Sequence, residues 1–305
     1  MILFLKKNIY AFKFIKLCFT SYKLHKFNNI FFVFKIYLIK VFFSYKLVRK
    51  IFLKTKSVDY VEERLFNEKT DAISITNQLI KDGISKSLNF KEAFIEEIIK
   101  EIYDKKNLKY NNINFLNLNE LMNFAEKENI SRLVIPLDLN QNLKINNLIN
   151  SNFFKTVVEN YLNKKEVSIN CSLFISLAKK NITEREKISA AQMFHFDNDF
   201  SKFLKMYIYL TDVSPNHGPH VYVEKTHIVR DKKHDLPKGF SDKQILESYK
   251  NVRTIIGKKG TLFLEDSFGF HKANTPLEGY RIILNIHFGN SKIKYSKHDK
   301  FEKFE

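Results

Sequence analysis

The stretch AQMFHFDNDF, Ala191 to Phe200, decides how this chain is read. His195 and Asp197 are separated by one residue. In an extended segment successive side chains alternate, so His195 and Asp197 leave the backbone on one side. Phe194 and Phe196 leave on the other. The pattern predicts a strand end with one apolar face and one face that can hold a metal. Asp199 shares the polar face but lies farther from His195. An isolated His-x-Asp is short enough to arise by chance, and the alternative is a hydrogen-bonded His and Asp beside a turn.

Working outward, the chain around this stretch reads as strands. EVSINCSLFISLA (166–178) precedes it, and ISAAQMFHFD (188–197) contains it. FLKMYIYLTDV (203–213), PHVYVEK (219–225), VRTIIG (252–257), KGTLFLED (259–266) and YRIILNIHFG (280–289) follow. One helix, SDKQILESYK (241–250), interrupts them. Residues 57–165 are mainly helical instead. Helices are expected over 71–85, 89–106, 117–129 and 150–165. The second carries Phe94, Ile98 and Ile102 at helical spacing. Asn117 or Asn119 caps the third, and Ser151 or Asn152 the fourth. Helices followed by a run of strands define an α+β chain with an antiparallel sandwich or barrel over 166–292.

The first 56 residues differ from this body. Residues 1–58 hold 13 Lys and Arg and no acid, out of a net charge of +18 for the 305 residues, leaving about +5 for the rest. Lys35 and Lys40 interrupt every window that could span a bilayer, which takes roughly 20 mostly apolar residues. No cleavage signature follows. Two readings remain for 1–56: a segment lying on an anionic membrane surface, with aromatics at the interface, or a basic extension packed on the body. The first implies a cytoplasmic protein held peripherally on the inner face of a membrane; the second implies a cytoplasmic one. The body carries no recognition-helix, zinc-finger or RNA-binding pattern, which excludes nucleic acid as the expected partner. Two cysteines, Cys18 and Cys171, make no disulfide framework and no cysteine metal cluster.

Two distant features give the His-x-Asp pair its weight. His271 follows the strand Thr261–Glu265. Arg281 opens the last strand among Ile282, Ile283, Leu284 and Ile286. An arginine entering a buried strand is costly unless it meets an anion, and its planar fork grips a carboxylate with two parallel hydrogen bonds. Two His and one carboxylate with open positions are the ligand set of non-haem Fe(II) oxygenases. The candidate set is therefore His195, Asp197 and His271 around a metal, with Arg281 as an anion clamp. Arg281 could instead pair with an acid of the sheet.

Four blocks between Ala191 and Gly289 occur in order: FHFDND, LKMYIYLTDVSPNHGPHVYVEKTH, GTLFLEDSFGFHKANTP and GYRIILNIHF. Together they resemble the phytanoyl-CoA dioxygenase family of Fe(II)/2-oxoglutarate oxygenases, over about a third of the chain. The resemblance implies a double-stranded β-helix, a cupin-like jelly roll, with the helical half packed on it. It implies that His195, Asp197 and His271 bind Fe(II), and that Arg281 holds the distal carboxylate of 2-oxoglutarate. Tyr207 stands where the family often places an aromatic near this co-substrate. The implied activity is hydroxylation by O2 of a small-molecule or lipid-linked substrate, with 2-oxoglutarate converted to succinate. The alternative is an inactive jelly-roll module bound at a membrane through the basic leader. EKTH departs from the family's Pro-Gly-Ser-His turn, so His227 reads as structural. Asp266 reads either as an acid orienting a ligand or Arg281, or as a solvated turn acid. His217, His220, His234 and His287 are not read as ligands. The loop Lys232–His234 reads as solvated, or as a contact for an anionic substrate.

Overall fold

A computed structural model describes residues 62–197, 202–231, 234, 239–289 and 300–303. The leader 1–56, Cys18, Asp199, Lys232 and Lys233 lie outside the described residues. Fourteen strands and seven α-helices are described. The strands are β1 (Glu62–Glu63), β2 (Thr70–Asp71), β3 (Leu88–Asn89), β4 (Leu108–Tyr110), β5 (Ile113–Phe115), β6 (Arg132–Leu137) and β7 (Glu166–Leu177). They continue with β8 (Phe203–Tyr209), β9 (His220–Val223), β10 (Val252–Ile255), β11 (Thr261–Glu265), β12 (His271–Ala273), β13 (Tyr280–Gly289) and β14 (Lys300–Lys303). The helices are α1 (Ala72–Asp82), α2 (Glu92–Tyr103), α3 (Leu118–Lys127), α4 (Leu143–Ile149), α5 (Asn152–Leu162), α6 (Glu184–Ser189) and α7 (Asp242–Ser248).

Two antiparallel sheets make the jelly roll. The larger has the order β14-β7-β13-β8-β11-β3, with β6 pairing along β7 beyond β14. The smaller is β10-β9-β12. Alternation along the large sheet decides what packs where. Leu173 and Ile175 of β7, Ile282, Leu284 and Ile286 of β13, and Met206 and Ile208 of β8 face the helices in one core. Their sequence neighbours Tyr207, Tyr209, Phe263 and Ile283 face the small sheet in another, with Tyr222 and Ile255. Helices α1 to α5 thus cover one face of the large sheet, and the small sheet covers the other.

The four expected helices form. Asn117 and Ser151 are the caps, each side chain accepting the backbone N–H three residues on. In α2 the buried stripe is Ile95, Ile98 and Ile102, and Phe94 is only half-buried. An i, i+3, i+4 stripe admits Ile95 as readily as Phe94, and the β-strand end at Gly260 selects the isoleucine. Ten of these elements were not expected: strands β1 to β6, β12 and β14, and helices α4 and α6. β6 pairs with six residues of β7 from within the helical half. Short helix α4 follows β6 in sequence, and short helix α6 follows β7. The expected strand 188–197 is a correction: its first residues complete α6, which a capping box at Thr183 and Glu186 starts. Only Phe194 and His195 make strand-like bridges.

No helix among the described residues is long and apolar enough to cross a membrane.

Candidate metal centre

His195 lies on the free edge of the small sheet. It bridges antiparallel to His271 on β12, each donating its backbone N–H to the other's carbonyl at 3.0 and 2.9 Å. Asp197 N–H donates to the Ser267 carbonyl at 2.8 Å, and Ala273 N–H to the Ala191 carbonyl at 2.9 Å. The ligand segment therefore runs antiparallel to 267–273 without being a long strand. Phe194 and Phe196 anchor its other face among Phe240, Phe268 and Phe270. Burying a phenylalanine side chain stabilises by about 1.5–3 kcal/mol, so two are enough to pin a short segment that has few ladder bonds.

The ligand atoms of His195, Asp197 and His271 lie within 4.8 Å of one another. Nε2 of His195 is 4.0 Å from Asp197 Oδ1, and Nε2 of His271 is 3.6 Å from Asp197 Oδ2. The rings of the two histidines are 4.3 Å apart. Each histidine places Nδ1 against a main-chain carbonyl: Met193 at 2.9 Å for His195, and Gly269 at 3.0 Å for His271. An Nδ1–H donor there leaves the Nε2 lone pair directed at the cluster, the arrangement that metal-binding histidines use. Gly269 is required at its position, because an added Cβ would lie 2.1 Å from the Tyr222 hydroxyl.

The charge states suit a cation. Burial pushes the Asp197 carboxyl up, but Lys205, His271 and His195 outweigh it and hold the group well below the ordinary carboxylate range. Burial, with the charge of His195, lowers His271 to about 4, so it is a neutral ligand at physiological pH. Lys205 Nζ donates to Asp197 Oδ2 at 2.5 Å.

Arg281 sits at the far end of the same inner face. It is 3% exposed. It donates through Nη1 to the Gly218 carbonyl and through Nη2 to Ser176 Oγ at 3.2 Å, while Nε has no hydrogen-bond partner. No acid pairs with it among the described residues, so the structural ion pair with a sheet carboxylate does not form. Gly218 has φ +70, and a Cβ there would lie 2.5 Å from the Asn274 carbonyl; only glycine turns that carbonyl toward the guanidinium. Tyr207 is buried on the same face as Arg281, its ring 5.2 Å from that of His220 and 5.3 Å from that of Phe263. Burial raises its phenol well above the usual range, which keeps it a neutral hydrogen-bonding group.

Several neighbours escaped the sequence reading. His220 is buried, stacks 5.8 Å from His271, and shares a 2.7 Å hydrogen bond with Glu265. Glu265, 0% exposed, leaves Oε1 without a partner. Asn285 leaves Oδ1 likewise. Lys205, Glu265 and Asn285 follow from alternation once Tyr207 is assigned to the inner face: Lys205 is two residues from it, Glu265 pairs with Lys205, and Asn285 pairs with Tyr207.

Other assignments change. Asp266 is neither a solvated turn acid nor a partner of Arg281 or of a metal ligand. Its Oδ2 accepts from the Tyr161 hydroxyl at 2.5 Å and its Oδ1 from the Phe268 N–H at 3.0 Å. It ties α5 to the turn that carries His271. His227 is structural, its Nε2 3.2 Å from the Ile80 carbonyl. His234 is not solvated but packs on Phe240, Tyr249 and Phe270. A groove of about 500 Å³ lies beside α6, lined in part by Arg132, Lys179 and Glu186, and none of the candidate ligands lines it.

The described residues thus bring two His and one carboxylate together within a jelly roll. Among solved structures, the chain is similar to EctD from S. alaskensis with bound Fe, at 13% identity and a TM-score of 0.50, over 78% of this chain and 90% of that one. It is also similar to HygX from Streptomyces hygroscopicus with nickel and 2-oxoglutarate bound, at 11% identity and a TM-score of 0.48, over 72% and 87%. The third is the non-heme alpha ketoglutarate dependent epimerase SnoN from nogalamycin biosynthesis, at 10% identity and a TM-score of 0.47, over 71% and 82%. No family model and no curated protein matches the sequence. The likeness to EctD establishes the jelly-roll fold.

Proposed function

We propose that the protein is an Fe(II)- and 2-oxoglutarate-dependent oxygenase of the phytanoyl-CoA dioxygenase type, acting as a hydroxylase on a small molecule. The observation that carries this reading is the convergence of His195, Asp197 and His271 with both Nδ1 atoms tied to carbonyls. The donor set fits Fe(II): two imidazoles and one carboxylate, on one side only. The orphaned Nε of buried Arg281 supports an anion beside it, and EctD and HygX share the fold and bind Fe, or nickel with 2-oxoglutarate.

His195, Asp197 and His271 would hold the iron. Bound iron supplies the activation of O2 coupled to oxidative decarboxylation of 2-oxoglutarate. The chain's own residues do the rest. Arg281, with Ser176 beside it, binds the distal carboxylate and so orients the co-substrate along the inner face. Tyr207 packs against that path and excludes water from it. Asp197 stays ionised and His271 neutral, so neither needs to lose a proton when the site is loaded.

The test is succinate release from 2-oxoglutarate with added Fe(II), comparing the wild type with His195→Ala and Asp197→Ala. Loss of release in both variants is expected. An unchanged rate in both sinks the reading.

A further inference from the structure

The Lys205 ammonium occupies Asp197 Oδ2, the oxygen that also faces His271 Nε2. A divalent metal and an ammonium compete for that carboxylate, because like charges a few ångströms apart repel strongly in a poorly solvated site. The side chain of Lys205 is 11% exposed, so water is not a ready alternative. An ammonium carries three N–H donors and needs acceptors wherever it goes.

Two side-chain oxygens near Lys205 on the inner face have no partner among the described residues. Glu265 is the direct cross-strand neighbour of Lys205, and its Oε1 is buried without a hydrogen bond. His287 faces Lys205 from the other side, which makes Asn285 the diagonal neighbour on the same face. Asn285 gives its amide to Ser172 at 3.2 Å and leaves Oδ1 unsatisfied. Directly paired side chains lie about 5 Å apart at Cβ and diagonal ones about 7–8 Å, within reach of a lysine. Leaving such acceptors buried is costly. Both lie beside the one ammonium that metal loading would dislodge.

We infer that Lys205 is a displaceable counter-ion of the metal carboxylate, an assignment that rests on the functional reading above. In the metal-free protein the ammonium stands in for the metal and holds Asp197 in place. On loading it gives up Asp197 and passes to Glu265 Oε1 and Asn285 Oδ1. Lys205 is a positioning residue here, acting on the metal through Asp197.

The experiment is an anaerobic titration of the metal-free full-length protein with Co(II), followed by calorimetry and by d–d absorption, alongside thermal melts without metal. Lys205→Met is expected to lower the metal-free Tm and to bind Co(II) about tenfold more tightly or better, since a competing like charge is gone. The double variant Glu265→Gln, Asn285→Ala keeps the Lys205–Asp197 contact. It is expected to bind Co(II) at least severalfold more weakly, because the displaced ammonium loses strong acceptors. Lys205→Met binding Co(II) no tighter than wild type overturns the assignment, as does a double variant that binds no more weakly. If Lys205→Met does not fold, the double variant decides. Wild type that binds Co(II) with either of those outcomes sinks this inference alone; wild type that binds no Co(II) sinks the functional reading with it.

Discussion

His195 and His271 are cross-strand partners, bonded to each other through both of their backbone N–H groups. The two imidazoles proposed as metal ligands are therefore set by main-chain pairing. Replacing either side chain by alanine leaves the bridge intact. His195→Ala and His271→Ala are expected to fold, with a Tm close to wild type, and to lose affinity for Fe(II) or Co(II). The loss should exceed the roughly 10–100-fold typical of removing an outer hydrogen-bond partner. Calorimetric titration checks it. Retained affinity in both variants would place the metal elsewhere.

The same pairing shows what the sequence could and could not reveal. His195 and Asp197 on one face, with Phe194 and Phe196 on the other, were legible because period-two alternation survives in a segment that makes only two bridges. Arg281 was legible as a charged residue entering an apolar strand. The partnership of His195 with His271 was not, because 75 residues of intervening chain must fold before the two meet. β6 was missed for a similar reason. SRLVIPLDL is short, and its proline and charges hide a strand that is secured by pairing with β7. His220 and Glu265 looked unremarkable singly, and only the closure of the small sheet onto β11 makes them a pair. Lys205 lay in a chain already rich in lysine, where one more carries little information.

Arg281 has a hydrogen-bonding atom to spare and no acid to meet among the described residues. Arg281→Gln should weaken 2-oxoglutarate binding by about 2–5 kcal/mol, the usual cost of truncating one partner of a buried charge pair. That corresponds to roughly thirtyfold or more. Affinity for the metal alone should be unaltered, because Arg281 touches none of the three ligands. The readout is the absorption change on titrating 2-oxoglutarate into the Fe(II)-loaded protein without O2. Equal 2-oxoglutarate affinity in variant and wild type would remove Arg281 from the site.

Tyr161 joins the helical layer to the turn that presents His271. Its hydroxyl donates to buried Asp266 at 2.5 Å, and hydrogen bonds to charged groups contribute about 1.5–3 kcal/mol. Tyr161→Phe keeps the ring over which Lys202 sits at 4.6 Å and removes only the hydroxyl. Denaturant unfolding should show a loss of about 1.5–3 kcal/mol, and the metal affinity should fall with it, since Asp266 steadies residues 267–271. A variant as stable as wild type would show that α5 and the ligand turn are held together by packing alone.

The pair His220 and Glu265 sets a pH signature for the metal-free protein. Burial raises Glu265 to about 7. Burial, with the charges of Arg281, His195 and Lys205, holds His220 well below the usual histidine range. Both shifts favour a neutral pair, with the Glu265 O–H donating to Nε2 of an uncharged imidazole. Between about pH 4.5 and 6.5 the unfolded chain carries a proton on histidine and the folded chain carries one on Glu265, so this pair adds no slope to stability there. Above that range the folded state still binds the Glu265 proton that the unfolded state has lost, and stability falls as pH rises through about 7. Below it the unfolded state binds more protons, and stability falls as pH drops. Glu265→Gln removes the carboxyl and leaves only the histidine. Relative to wild type, the variant should gain about 2–3 kcal/mol between pH 4.5 and 7, at about 1.4 kcal/mol per unit. Urea unfolding of both proteins across that range measures the difference, and parallel pH profiles would show that Glu265 is ionised throughout in the folded protein.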